Sequence, residues 1–394
     1  MRILTRYILA ELTKVFVVAL FALMPVMLIA GVSQLAMRYS LPPAQILQLV
    51  PYTVPFALSV ALPVTLLLAT TSVYARMSGS NEVIALKAQG ISPWSIIWPA
   101  VIVAFVLSLA AVWLTDLSVS WGRNGAQQVV VNSVEEIAYS VLRTQKSYSS
   151  PTFSVNVKEV DGNRLIGATI SIRGRGDSPG ATITAAEATL YCDRENGDLV
   201  ISVSDAYVDV EGKAKAFVPS YVHTIPLQQA SNVEDRSSVP SNIALGAIPE
   251  EQVQQRERID DHRRELAVRG AFEVLCGDFE RLTGAEWKTR FAEEAGLISR
   301  LNRLRTEPHR RWSAGFSCLC FLWVGVPIAI RLRNSDFLTS FFLCFVPILA
   351  VYYPVMMYGI DGAKSGTIPP FSVWAANLIL FVWGGYLLRK VIRY

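Results

Sequence analysis

The densest set of residues able to act together lies in R76-M-S-G-S-N-E-V-I-A-L-K-A-Q-G-I-S92. Ser80 is placed to cap a short helix, Glu82 sits in its first turn and Lys87 in its last. Gly90 fits the position just past a helix end, and Pro93 blocks continuation. Part of this pattern is ordinary: an acid near the N-terminus and a base near the C-terminus complement a helix dipole for about 0.3–1 kcal/mol each. Glu82, however, has Ala85 and Leu86 at the positions three and four residues on, so it lacks a cation one turn away. A short amphipathic helix with such an acid suits docking into another protein.

Covalent chemistry finds no comparable constellation. The chain has no G-x-x-x-x-G-K-[ST], no H-E-x-x-H and no G-x-S-x-G, and the nearest glycine–lysine pair, Gly212–Lys213, lacks the rest of a phosphate loop. Three histidines and five cysteines are scattered. The sequence therefore reads as a non-enzyme without a resident cofactor or metal.

These residues must be positioned by apolar elements. Of 394 residues, 52% are hydrophobic and only 17% charged, against about 25% charged in ordinary soluble chains. Mean hydropathy is +0.36. The net charge of +4 gathers beside apolar runs and forms no basic stripe with interleaved aromatics, which argues against nucleic acid.

Uncharged runs locate membrane spans, each needing about 20 residues. They are Val15–Val32, Pro51–Tyr74, 88–115, 312–330, 337–360 and 365–388. Arg2, Arg6, Lys14, Arg76, Lys87, Arg331, Arg333, Arg389, Lys390 and Arg393 fall on one side. The positive-inside bias makes that side, with both termini, cytoplasmic. Pro25, Pro51, Pro55 and Pro63 would kink the first two spans or allow them to flex.

The large external segment divides in two. From Thr152 to Leu227, short alternating runs such as Phe153, Val155 and Val157, with turns at 161–163 and 194–198, read as β-strands of a sandwich or jelly roll. From Pro249 to Arg311 charge rises, and Val268, Phe272, Leu275, Phe279 and Leu282 mark the apolar face of a helix. The expected class is an α+β integral membrane protein. Six transmembrane helices (3+3) flank an external β jelly-roll-like domain and a helical insertion between the third and fourth. Expected boundaries are 1–118, with the short helix at about 80–90, then 119–228, 229–311 and 312–394. Cys192 and Cys276 lie outside and are able to pair in an oxidising compartment. Arg38, just beyond the first span, shares a helical face with Gln34; the pair suits either interfacial anchoring or a lipid phosphate. Arg310 and Arg311, before the fourth span, pose the same choice.

Within the 76–92 stretch, Arg76, Glu82, Ala85, Leu86, Lys87, Ala88, Gly90 and Ser92 match the pattern R-L-x-x-x-x-E-x-x-A-L-[RK]-A-x-G-x-S. By this the sequence resembles the lipopolysaccharide-export permease (LptF/LptG) family. Further matches are H309-R310-R311, G325-V326-P327-I328, Y352-Y353, G366-T-I-P-P370 and W374-A-A-N377. The resemblance implies the permease half of an ABC-type exporter in the inner membrane, with its large domain periplasmic. It implies four partners: an ABC-type ATPase dimer that alone uses ATP, a second LptF/LptG-like permease subunit, a periplasmic bridge protein, and lipopolysaccharide or a related lipid. Glu82 would be the contact to the ATPase, with Arg76 and Lys87 in the same coupling segment. Two departures stand out: W312-S-A-G-F316 replaces a proline usual after the paired basic residues, and 249–305 resembles an insertion. The competing reading is a membrane-anchored periplasmic binding or scaffold protein without transport.

Overall fold

The computed structural model describes residues 2–393 apart from 40–42, 127–128, 130–133, 150–152, 163, 173–180, 194–197, 211–213, 227–238, 278, 280–283 and 333–336. The chain forms two compact units, one of Met1–Leu28, Val54–Ser120 and Pro240–Tyr394, the other of Ile29–Thr53 and Trp121–Val239.

Among the described residues the α-helices are, in chain order, α1 (Arg2–Tyr39), α2 (Pro43–Gly79), α3 (Glu82–Ala88), α4 (Pro93–Leu117), α5 (Val134–Gln145), α6 (Ile248–Cys276), α7 (Ala285–Arg331), α8 (Phe337–Ser365) and α9 (Ala375–Arg393). Among the described residues, six helices are long and apolar enough to cross a membrane: α1, α2, α4, α7, α8, and α9 with the turn before it. This is the expected number. Pro25, Pro51, Pro55 and Pro63 lie within α1 and α2, which continue through them.

In the first unit, α7 is the hub. Small residues let its neighbours approach, as membrane helices require where lipid tails supply no driving force for association. A Cβ on Gly315 would press on Val112 and lie 3.1 Å from the Ser108 carbonyl of α4. One on Gly325 would meet Leu67 of α2. Gly384 of α9 brings that helix against the Trp323 backbone, where the Trp323 and Phe381 rings stack at 5.0 Å. Phe321 meets Tyr352 of α8 edge to face at 5.1 Å.

The charged segment before the fourth span differs from the expectation in two ways. It is not separate from that span: α7 runs unbroken for 47 residues, about 70 Å at 1.5 Å per residue, so about 40 Å extends beyond a 30 Å hydrocarbon core. The face that packs is also not the apolar stripe singled out in the sequence. Gln255, Ile259 and Leu266 turn α6 against Trp287, Leu301 and Leu304 of α7, and the Gln255 amide donates to the Leu297 carbonyl at 3.0 Å. Val268, Phe272 and Leu275 are 72%, 65% and 86% exposed. Leu282 lies outside the described residues. Ion pairs such as Arg263–Glu294, at 2.7 Å, and the bonded Gln255 flank this buried seam.

Among the described residues of the second unit, seven strands form one antiparallel sheet ordered β1-β2-β4-β5-β6-β7, with β3 on β4. They are β1 (Ser147–Ser149), β2 (Phe153–Asn156), β3 (Glu159–Asp161), β4 (Arg164–Ile172), β5 (Ala181–Asp193), β6 (Asp198–Val210) and β7 (Ala214–Pro226). Strand residues alternate faces with period two. Here the buried set steps by three at one line across the sheet: Leu165 to Ala168, Ala185 to Ala188, Val203 to Ala206. These pairs are in register, Leu165–Ala188–Val203 beside Ala168–Ala185–Ala206. Gly167 and Asp205, both in the left-handed region at φ +64° and +52°, lie on that line. The break keeps both halves of each strand apolar on the same face. Helix α5, which the sequence reading did not anticipate, closes over that face with Tyr139 and Leu142. Leu35, Ile46, Leu49, Tyr52, Ala126 and Val129 form a second small core of this unit. Strands β5 and β6 pair out to Asp193–Asp198; the turn expected between them falls on residues outside the description.

Candidate functional site

The stretch 76–92 folds as a short helix between two spans, and its ends explain its place. Gly90 takes φ +80°; its N–H reaches the Lys87 carbonyl at 2.9 Å, and Ile91 reaches Leu86 at 3.1 Å. That is the paired 5→2 and 6→1 closure of a glycine-ended helix. Ser92 caps the next helix by accepting from the Trp94 N–H at 3.3 Å, with Pro93 in its first position. The start differs from expectation. Asn81, at φ 60°, is the N-cap residue and makes no side-chain capping bond. The Ser80 hydroxyl lies 2.9 Å from both the Arg76 carbonyl and Glu82 Oε1. Ser80 thus stands one residue before the N-cap of α3 and acts there as a donor.

Helix α3 has two distinct faces. Val83 is buried, with Leu86 packed beside it, in a core shared with Met77, Ala329 and Leu388. Ile84, Ala85 and Ala88 are exposed, and Glu82 is half-buried beside them. The three basic and acidic positions singled out in the sequence thus part company. Glu82 borders the outward face. Arg76 forms an ion pair with Glu11 of α1 at 2.9 Å. Lys87 donates to the Val391 carbonyl near the end of α9 at 2.8 Å. Ser78, which the sequence reading passed over, donates to the Ile330 carbonyl of α7 at 2.6 Å.

A second polar node involves Arg311. Its side chain is wholly enclosed, pairs with Asp116 at 3.0 Å and donates to the Ile243 and Ser241 carbonyls at 2.7 and 3.3 Å. Asp116 also accepts from the Leu245 N–H at 2.7 Å. Glu307, 2% exposed, lies 2.8 Å from Arg310 and 3.7 Å from Arg311 Nε; the longer distance is an ion pair without a hydrogen bond. Arg311 therefore joins α4, α7 and the returning segment 240–247, and it is enclosed by its own chain rather than presented to a lipid. Arg310 remains partly exposed beside Glu307. Gln34 is exposed on α1; Arg38 lies in the same helix, one turn on, with its side chain outside the description.

Sequence reasoning missed Glu11 and Asp116 as partners. The available signal was position: Glu11 shortly precedes the first uncharged run and Asp116 ends the third. Cys276 is a free, exposed thiol, while Cys318, Cys320 and Cys344 are buried among the spans. The Cys192 side chain lies outside the description. Among the described residues no three of His, Cys, Asp and Glu gather as a metal site.

Among the described residues, six apolar helices, with a short helix between the second and third, and an antiparallel sheet define a multi-pass membrane protein. The sequence profile described as lipopolysaccharide export system permease LptF/LptG matches residues 6–390. The chain belongs to that family. It is a transporter subunit of that kind rather than an enzyme in its own right. Comparison with curated proteins finds no match.

Proposed function

We propose that the chain is the permease subunit of an ABC-type lipopolysaccharide exporter, extracting lipid from the inner membrane under power from a separate ATPase. The observation that carries this is α3. Its inner face is seated in the core formed by the spans, while Ile84, Ala85 and Ala88 stay exposed beside Glu82. A helix that short is not stable alone, so its outward face is held in place for a partner. In this reading Glu82 contacts one subunit of an ABC-type ATPase dimer on the cytoplasmic side, where both termini also lie. ATP is bound only there.

A second LptF/LptG-like permease completes the transmembrane path. The creased sheet supplies a periplasmic, jelly-roll-like surface from which lipid passes to a bridge protein. Gln34 and Arg38, one turn apart near the outer end of α1, meet the phosphate-bearing headgroup. Arg310 remains a candidate for the same role. Arg311 does not, because its side chain is wholly enclosed and paired with Asp116. Fuel is needed because each CH₂ withdrawn from the membrane costs about 0.8 kcal/mol, so releasing a multi-chain lipid costs tens of kcal/mol on that increment.

The test is capture of an ATPase by the tagged chain in mild detergent. The unaltered chain should bring down an ATPase stoichiometrically, and Glu82→Lys should lose it. An intact complex with Glu82→Lys would remove Glu82 from the contact. Normal function after scrambling residues 80–90 would favour a membrane-anchored binding protein without transport.

A further inference from the structure

Among the described residues, two of the membrane helices end with a last-turn carbonyl taken by a side chain of this stretch, one by Ser78 at the end of α2 and one by Lys87 of α3. Ile330 is the penultimate residue of α7 and Val391 the third from last of α9. The last four carbonyls of any helix have no partner within it and carry the negative end of its dipole. Ser78 Oγ donates to Ile330 at 2.6 Å, and the Lys87 ammonium donates to Val391 at 2.8 Å. An ammonium is the favourable charge at such an end. Apolar contact runs alongside: Val83 of α3 and Met77 share one core with Ala329 of α7 and Leu388 of α9. Lys87 stands one turn after Val83 and so on the same inward side of α3. Glu82 stands apart from these bonds, its near partner being the Ser80 hydroxyl.

We infer that Lys87 is a positioning residue that pins α3 to the end of the sixth span. It would deliver to that span the displacement an ATPase imposes on α3, without touching the ATPase itself. The inference rests on the permease reading above and divides its coupling residues into two kinds: Glu82 receives the push and Lys87 passes it on.

The test uses the full complex in liposomes containing lipopolysaccharide, with three readouts: ATPase capture, ATP hydrolysis, and lipid released per ATP. Lys87→Met keeps most of the side chain's length and loses the donor and charge; Lys87→Arg keeps both. Lys87→Met should capture the ATPase and hydrolyse ATP normally. Its lipid yield per ATP should fall about tenfold, the size of an ordinary coupling free energy between two sites. Lys87→Arg should recover much of that yield. Should Lys87→Met fail to accumulate, ending the chain after Lys390 removes the Val391 acceptor by another route and must lower the same ratio. An unchanged yield per ATP in Lys87→Met, or loss of ATPase capture as for Glu82→Lys, overturns the pin while leaving the permease reading standing. Failure of the unaltered chain to capture any ATPase overturns both.

Discussion

At the scale of single residues, the buried charges have the most at stake. Arg311 is enclosed with two carboxylates and two backbone carbonyls around it. Removing one partner of a buried pair leaves the other charged and unsolvated, at about 3–5 kcal/mol. Asp116→Ala should therefore lower the thermal stability of the purified chain sharply. Asp116→Asn, which loses the charge but still accepts from Leu245 and Arg311, should lower it less; equal loss in the two would show that the charge alone, and not the hydrogen bonds, holds the node. Tyr139 makes a comparable point in the other unit. Its hydroxyl donates to the Leu190 carbonyl at 3.1 Å and accepts from the Leu190 N–H at 2.9 Å, where β4 no longer pairs with β5. Tyr139→Phe leaves both backbone groups buried and unpaired, at about 1–3 kcal/mol per group. Hydrogen exchange of the Leu190 amide in the full chain should accelerate; unchanged protection would mean another group takes over. None of this was legible from sequence, because Arg311 and Asp116 lie 195 residues apart and nothing in local spacing pairs them.

At the scale of elements, what was legible and what was not separate by physical cause. Spans show because lipid forbids charge over about 20 residues, and the gaps between charged residues mark them directly. The end of α3 shows because only a few residue types tolerate the left-handed region, and Gly90 occupies it. The sheet's crease does not show. Its signal is a single break in alternation, repeated in register on three strands, and register is unknown before pairing. The α6 face misled because an apolar stripe identifies a face able to pack, not the face that does; here Gln255, Ile259 and Leu266 pack and Val268, Phe272 and Leu275 do not. Span packing also yields an element-scale prediction. Gly315 lies where a side chain would meet the Ser108 and Val112 backbone of α4, atoms that cannot rotate away. Gly315→Leu should force α4 and α7 apart and destabilise the chain by more than about 1–3 kcal/mol, the usual range for overpacking. Gly296→Leu, at a position with no atoms near, is the matched control. Comparable melting of the two would mean that α4 and α7 do not pack through Gly315.

At the scale of the whole molecule, orientation is the property on which the permease reading most depends, and the cysteines offer a direct measurement. In the proposed topology, argued from the positive-inside bias, the α3 side is cytoplasmic and the α6–α7 hairpin lies on the opposite side. Five arginines of that hairpin and its junction, Arg300, Arg303, Arg305, Arg310 and Arg311, oppose the bias. Three of them are paired with carboxylates, Arg310 with Glu307 at 2.8 Å among them. Arg311 is sequestered by Asp116, and Arg300 pairs with Glu251 at 3.3 Å while bonding Gln255 at 2.7 Å. Neutralised inside a folded domain, they need not govern insertion, and long segments translocate largely regardless of charge. Cys276 ends α6 as an exposed free thiol, whereas Cys318, Cys320 and Cys344 are buried. In a Cys192→Ser background, a membrane-impermeant maleimide should therefore label one site. Labelling should be complete in spheroplasts, where the outer surface of the inner membrane is accessible, and absent in inverted vesicles. The reverse pattern would put the hairpin in the cytoplasm and α3 outside, beyond the reach of any ATPase. The proposed coupling through Glu82 and Lys87 would fall with it, while the fold and the family membership would stand.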